Sequence, residues 1–174
     1  MKITVLGAGS WGTALSMTLW KNKHTVYLWT HDENEAKYLK EKRKCTNLPE
    51  VVIPEEITIL TSLEEAVKEG EILVYAVPSI FTRSMGERTQ PFVRKEQILV
   101  TVSKGIEEST LYTMTDILEE FFPENKIAVL SGPSHAEEVS RFIPTTIVCA
   151  SKDEETARTI QSAFISDTFR VYTN

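Results

Sequence analysis

Residues able to do chemistry fall in five stretches of this sequence, and each stands directly behind an apolar run. Gly7-Ala8-Gly9-Ser10-Trp11-Gly12 follows Ile3-Thr4-Val5-Leu6. This is G-x-G-x-x-G between a strand and a helix, the arrangement that takes a dinucleotide. Gly7 supplies the tight turn. Gly9 has no Cβ, so a pyrophosphate can approach the backbone. Gly12 lets the helix expected from Trp11 to Asn22 press against the sheet. The free N–H groups and the positive dipole end at that helix start face the phosphates. A tight turn with no ligand is the plainer alternative.

Thr30-His31-Asp32 follows the run Thr25–Thr30. An acidic residue about 20 positions beyond the glycine turn bonds the ribose hydroxyls and favours NAD. Asp32 has that spacing, but the strand end falls closer to the neutral Thr30. Asp32 reads equally as the N-cap of the next helix. His31 suits either the adenosine ribose or a 2′-phosphate, so NAD against NADP stays open. Pro78-Ser79-Ile80-Phe81 follows Glu71–Val77. Proline ends that strand and turns the chain over the crevice. Phe81 reads as a contact for the nicotinamide end, or as a hydrophobic staple for the next helix.

Ser103-Lys104-Gly105-Ile106-Glu107 follows Ile98–Val102, and Ser131-Gly132-Pro133-Ser134-His135-Ala136-Glu137-Glu138-Val139 follows Ile127–Leu130. A lysine at a strand end can hold an anionic substrate or polarise a carbonyl; the alternative is a solvated Lys104 paired with Glu107. Gly132-Pro133-Ser134 offers bare N–H groups and a hydroxyl. His135 is a weak acid–base candidate, and Glu137 and Glu138 read as a helix start favoured by the dipole. His24, His31, His135, Cys45 and Cys149 show no metal-ligand spacing, so no metal is expected.

The elements that position these residues alternate. Strands are expected at Ile3–Leu6, Thr25–Thr30, Ile57–Leu60, Glu71–Val77, Ile98–Val102, Ile127–Leu130, Thr145–Ala150 and Phe169–Tyr172. Helices are expected at Asn34–Arg43, Leu63–Lys68, Leu111–Phe121 and Asp153–Phe164, besides the first. This implies βαβ units and an α/β fold: one doubly wound, mostly parallel sheet with Ile3–Leu6 and Glu71–Val77 central. Ligands then sit beyond the carboxyl ends of the strands. The loop Cys45–Glu56, with two prolines, is expected to be mobile.

A chain of 174 residues suits one domain, 1–174. A net charge of -6 argues against nucleic acid or an anionic membrane as partner. No apolar run approaches the roughly 20 residues of a membrane span. The sequence starts in a strand, so no signal peptide is expected. Cys45 and Cys149 form no C-x-x-C and read as free thiols in a reducing cytoplasm.

GAGSWGTAL, the V-P-S turn with Phe81, SKGIE and SGPSHAEEV, in this order, resemble the bacterial NAD(P)-dependent glycerol-3-phosphate dehydrogenases. The resemblance implies a Rossmann-type NAD(P)-binding domain. It implies reduction of dihydroxyacetone phosphate to sn-glycerol 3-phosphate for phospholipid synthesis, a small-molecule substrate, and a homodimer of the full-length form. It places cofactor contacts at Gly7, Gly9, Ser10, Trp11, Gly12, His31, Phe81, Lys104 and Ala136. Substrate contacts fall at Lys104, Gly132 and Ser134. His135 departs from the aromatic residue usual there. The family continues past Y-(T/S)-N with a segment carrying the catalytic lysine and then an all-helical domain. This sequence ends at Tyr172-Thr173-Asn174, so Lys104 only assists, and binding without appreciable turnover is expected. The rival readings are a non-catalytic dinucleotide-binding module and a related hydroxy-acid dehydrogenase.

Overall fold

The computed structural model describes residues 1–174. Apolar runs become strands: β1 Lys2–Leu6, β2 Thr25–Trp29, β3 Thr58–Leu60, β4 Ile72–Tyr75, β5 Ile98–Thr101, β6 Lys126–Ser131, β7 Thr145–Ser151 and β8 Phe169–Thr173. The helices between them are α1 Ser10–Lys21, α2 Glu33–Lys42, α3 Leu63–Glu69, α4 Thr82–Thr89, α5 Met114–Phe121, α6 Ala136–Ser140 and α7 Glu154–Phe164. A short 3-10 turn, Ser79–Phe81, leads into α4.

All eight strands form one sheet in the order β3-β2-β1-β4-β5-β6-β7-β8. Chain order reverses at β1 and β4, which pair Ile3 with Ile72 and Leu6 with Tyr75. These two strands are central, and their Ile3, Val5, Leu6, Leu73, Val74 and Tyr75 are fully buried. Strands covered by helices on both faces lose the polar alternation of a half-exposed sheet. One apolar cluster joins α1, α2, α6 and α7 to one face. A second joins α3, α4 and α5 to the other. The fold is therefore α/β and doubly wound, as the alternation implies.

One pair of neighbours is antiparallel, β6 with β7. Its cause is the short helix between them. Five residues rise only about 7 Å, too little to carry the chain back along the sheet. The segment from Gly132 to Pro144 stays at the carboxyl end of β6, and α6 packs on α1.

Two local expectations change. Leu111–Thr113 is not helical: Leu111 has φ 61°, and Thr113 caps α5 in a reciprocal capping box with Asp116. The loop Cys45–Glu56 is packed down. Cys45, Leu48, Val51 and Ile53 are buried against the core. Arg43, the left-handed C-cap of α2, donates to the carbonyls of Ile53 at 3.3 Å, Ile57 at 2.8 Å and Pro54. That side chain holds the loop on the body.

Candidate functional site

The three glycines behind β1 do different work. Gly7 has φ +125°, and its N–H donates to Trp29 O at 3.0 Å. A Cβ there would lie 2.4 Å from Ala76 O. At Gly12 a Cβ would lie 1.9 Å from Gly7 O and 3.3 Å from the Ala76 side chain. These two glycines permit the turn and seat α1 between β1 and β4. Gly9 is different. It caps α1 at φ -65°, and a Cβ there would meet nothing within 4 Å. The space before Gly9 is open. The amides of Ser10, Trp11 and Gly12 lie in the first turn of α1, which no intrahelical carbonyl can satisfy.

Two cavities meet at Gly9, sharing Ala76, Val77 and Pro78 from the end of β4. Each has a volume of about 420 Å³. One runs toward Ser10, Trp11, Lys104, Ser134 and Ala136. The other runs toward Thr30, His31, Glu35, Phe81 and Arg88. Together they form a trough across the carboxyl ends of the strands, over the point where chain order reverses.

In the first cavity the Lys104 ammonium donates to Gly132 O at 2.8 Å. The Ser134 hydroxyl donates to the same carbonyl at 3.2 Å. Lys104 is exposed and does not pair with Glu107, whose carboxylate is held by Arg83 and by the Thr110 hydroxyl. Arg83, then Thr110, draws the Glu107 pKa down to about 2. Gly132 is a packing glycine: its Cβ would lie 3.1 Å from Ile147 Cα in β7. Gly105, at φ +130°, lets the Lys104 loop close on Ser79, whose Oγ would be 3.0 Å from a Cβ there. The Trp11 indole N–H is buried without an acceptor. His135 lines this cavity, and its side chain caps nothing.

The second cavity holds His31 and Phe81. The His31 ring centroid lies 6.3 Å from that of Trp29, and Phe81 is 51 % exposed. Phe81 thus sits on the His31 side of the trough, apart from Lys104. Asp32 is an N-cap: it accepts from the amides of Asn34 at 2.8 Å and Glu35 at 2.9 Å. Of its two readings the structure takes the cap.

Three side chains here were not singled out in the sequence. Glu35 enters the second cavity from the first turn of α2, held by the Thr30 hydroxyl. Arg88 enters from α4, with its guanidinium carbon 5.4 Å from the Trp29 ring centroid. Arg83 fastens the loop after Lys104. Each lies on a charged helix whose pattern reads as a solvated face. Only the strand-end spacing pointed toward Glu35, and it pointed three residues short.

No three His, Cys, Asp or Glu side chains converge as metal ligands. Cys45 and Cys149 are free and buried, and burial pushes the Cys149 thiol up to about 11. No helix is long and apolar enough to cross a membrane.

Comparison with known proteins adds to this geometry. A family model described as NAD-dependent glycerol-3-phosphate dehydrogenase N-terminus matches residues 2–157. An NAD(P)+ glycerol-3-phosphate dehydrogenase of Agathobacter rectalis is 48% identical over 174 residues, covering 99% of this chain and 52% of the relative. A namesake from Fusobacterium nucleatum is 46% identical over 177 residues, covering 100% and 53%. The chain spans about half the length of the curated relatives it matches. Among solved structures, a glycerol-3-phosphate dehydrogenase of Coxiella burnetii superposes with a TM-score of 0.94 at 26% identity, covering 99% of this chain and 53% of that one.

Proposed function

Since the chain belongs to the NAD-dependent glycerol-3-phosphate dehydrogenase N-terminal family, we propose that residues 1–174 are the NAD(P)-binding domain of such an enzyme. The reaction is hydride transfer between NAD(P)H and dihydroxyacetone phosphate, giving sn-glycerol 3-phosphate for phospholipid synthesis. The observation that carries this reading is the open space at Gly9, where two cavities meet over the strand ends. Gly7 and Gly12 shape that opening, and the first-turn amides of Ser10 and Trp11 offer donors to a pyrophosphate. The residues present fit a dinucleotide.

His31 and Phe81 serve the adenosine side, and Ala136 and Lys104 the nicotinamide side. The bound nicotinamide supplies or accepts the hydride. This chain's own residues do the rest. The Lys104 ammonium attracts an anionic substrate and steadies charge on its oxygen. Its bond to the Gly132 carbonyl fixes where that charge sits, and the Ser134 hydroxyl is aimed at the same place. An acid must also donate the proton that the alkoxide needs. In the reading proposed, a lysine outside this stretch does so, and 1–174 binds without appreciable turnover. The same reading puts the protein in the cytoplasm, in keeping with two buried free thiols, and makes the longer form a homodimer.

The test is direct titration of the chain with NADH and with NADPH, followed by nicotinamide fluorescence. Saturable binding of either supports the domain assignment. Absence of binding to both overturns it.

A further inference from the structure

We propose that Glu35 is the residue that selects the cofactor and that it selects NAD(H) over NADP(H). The proposal rests on the dinucleotide reading of the trough and adds to it which dinucleotide is taken.

The end of β2 is where a dinucleotide's adenosine ribose is read. Here that strand ends on Trp29, and the next residue, Thr30, is buried and neutral. The chain brings a carboxylate to the same place by another route. Glu35 lies in the first turn of α2, its carboxylate bonded by the Thr30 hydroxyl and lining the second cavity. A carboxylate so held accepts hydrogen bonds from a vicinal diol. Against a 2′-phosphate it sets like charge on like charge, in a half-covered site where screening is weaker than at an open surface.

What could hold a phosphate nearby is already engaged or differently placed. The amides at the start of α2 are the natural anion donors. Asp32 fills them, at 2.8 Å to Asn34 N and 2.9 Å to Glu35 N. Asp32 and Glu33 add two more carboxylates within that turn. The cation lining the cavity is Arg88; the His31 ring lies beside Trp29. Arg88 comes from the opposite face of the sheet and lies over Trp29, making its only side-chain hydrogen bond to Met85 Sδ at 3.7 Å. A guanidinium resting near an indole, with no carboxylate partner, is free to meet the face of a base. That gives Arg88 the adenine and leaves the ribose hydroxyls to Glu35.

The experiment compares NADH and NADPH affinities of the wild-type chain, Glu35→Gln and Glu35→Lys, with circular dichroism confirming each fold. The wild type is expected to bind NADH at least roughly tenfold more tightly than NADPH, as direct like-charge contact implies. Glu35→Gln removes the charge and one of the two acceptors for the diol, so NADPH binding tightens, NADH binding weakens, and the preference for NADH falls at least roughly tenfold. Glu35→Lys reverses the preference. Equal affinities in the wild type, a preference for NADPH, or an unchanged ratio in both variants overturns the proposal while the dinucleotide reading stands. Binding of neither cofactor to the wild type overturns both. Arg88→Gln separates the roles of the two side chains: a similar loss for both cofactors supports a base contact, and a loss for NADPH alone overturns the assignment.

Discussion

The Arg83 guanidinium grips the Glu107 carboxylate through two parallel bonds, Nε to Oε1 at 2.7 Å and Nη2 to Oε2 at 2.8 Å. Glu107 lies three residues past Lys104, and its carbonyl and amide also bond Leu111 N and Tyr112 O, each at 2.8 Å. The pair ties the Lys104 loop to α4 by a forked contact that a lysine could not reproduce.

This latch is pH-dependent, with a definite sign. In the fold Arg83, and then Thr110, lower the Glu107 pKa from 4.5 to about 2. Above 4.5 the carboxylate is ionised in both folded and unfolded chains, and the latch contributes in full. Between 4.5 and 2 the unfolded chain takes up the proton first, so the contribution falls with pH. Glu69, Asp116 and Asp153 are also held low, so the wild type loses stability throughout this window. The difference between wild type and Glu107→Gln isolates the latch. Thermal melts followed by circular dichroism should show the variant melting lower at pH 7, with the gap closing toward pH 2. A gap that is constant with pH would contradict this.

Gly9 and Gly12 should part company under the same substitution. Gly9→Val places its side chain in open space at an ordinary φ, so the fold stands and the trough is blocked. NAD(P)H affinity should fall at least roughly a hundredfold, at ~1.4 kcal/mol per tenfold. Gly12→Val drives a Cβ into Gly7 O, and overpacking a fixed backbone costs about 3 kcal/mol or more. Urea unfolding and fluorescence titration, run on both variants, should show binding lost alone in the first and stability lost in the second.

What could be read in advance follows from how local the signal is. Each long strand is an apolar run, and the crevice residues stand directly behind such runs, so the order of residues along the chain already sets Gly9, Lys104 and Ser134 beside the trough. The reversal of β7 is not set so locally, because strand direction depends on how far α6 can carry the chain. Glu35 was passed over for Asp32 because the side chain that reaches the strand end is chosen by the Thr30 hydroxyl. Arg43 was missed because its partners are backbone carbonyls ten to fourteen residues ahead, and a carbonyl has no letter in the sequence.

Arg43 therefore offers a test of the loop. Its side chain is 12% exposed, and it bonds the carbonyls of Ile53, Pro54 and Ile57, of which Pro54 O also accepts from Ile57 N. Arg43→Ala leaves them without that donor and should cost about 2–3 kcal/mol, read as a lower urea midpoint at unchanged slope. Arg43→Lys keeps the charge without the fork and should fall between. If alanine matches the wild type, the loop is held by Cys45, Leu48, Val51 and Ile53 alone.

Lys104 decides the substrate half of the proposed function. Its ammonium is already aimed at the Gly132 carbonyl beside Ser134, so it needs little reorganisation to meet an anion there. Bonds to a charged group are worth about 1.5–3 kcal/mol. Lys104→Met keeps the length of the side chain and removes the charge, and should weaken a phosphorylated three-carbon substrate roughly ten- to a hundredfold. The measurement needs a competent enzyme, for instance this chain joined to the C-terminal half of the Agathobacter rectalis relative, which is 48% identical over the shared part. Glycerol 3-phosphate oxidation and NAD(P)H affinity are followed separately, because a lysine that only props up the Gly132 turn would disturb neither selectively. A raised KM for glycerol 3-phosphate with nearly intact cofactor affinity places Lys104 at the substrate. If turnover and substrate affinity both survive, the anion is held elsewhere, and the Lys104–Gly132 contact is only a structural tie between the β5 and β6 loops.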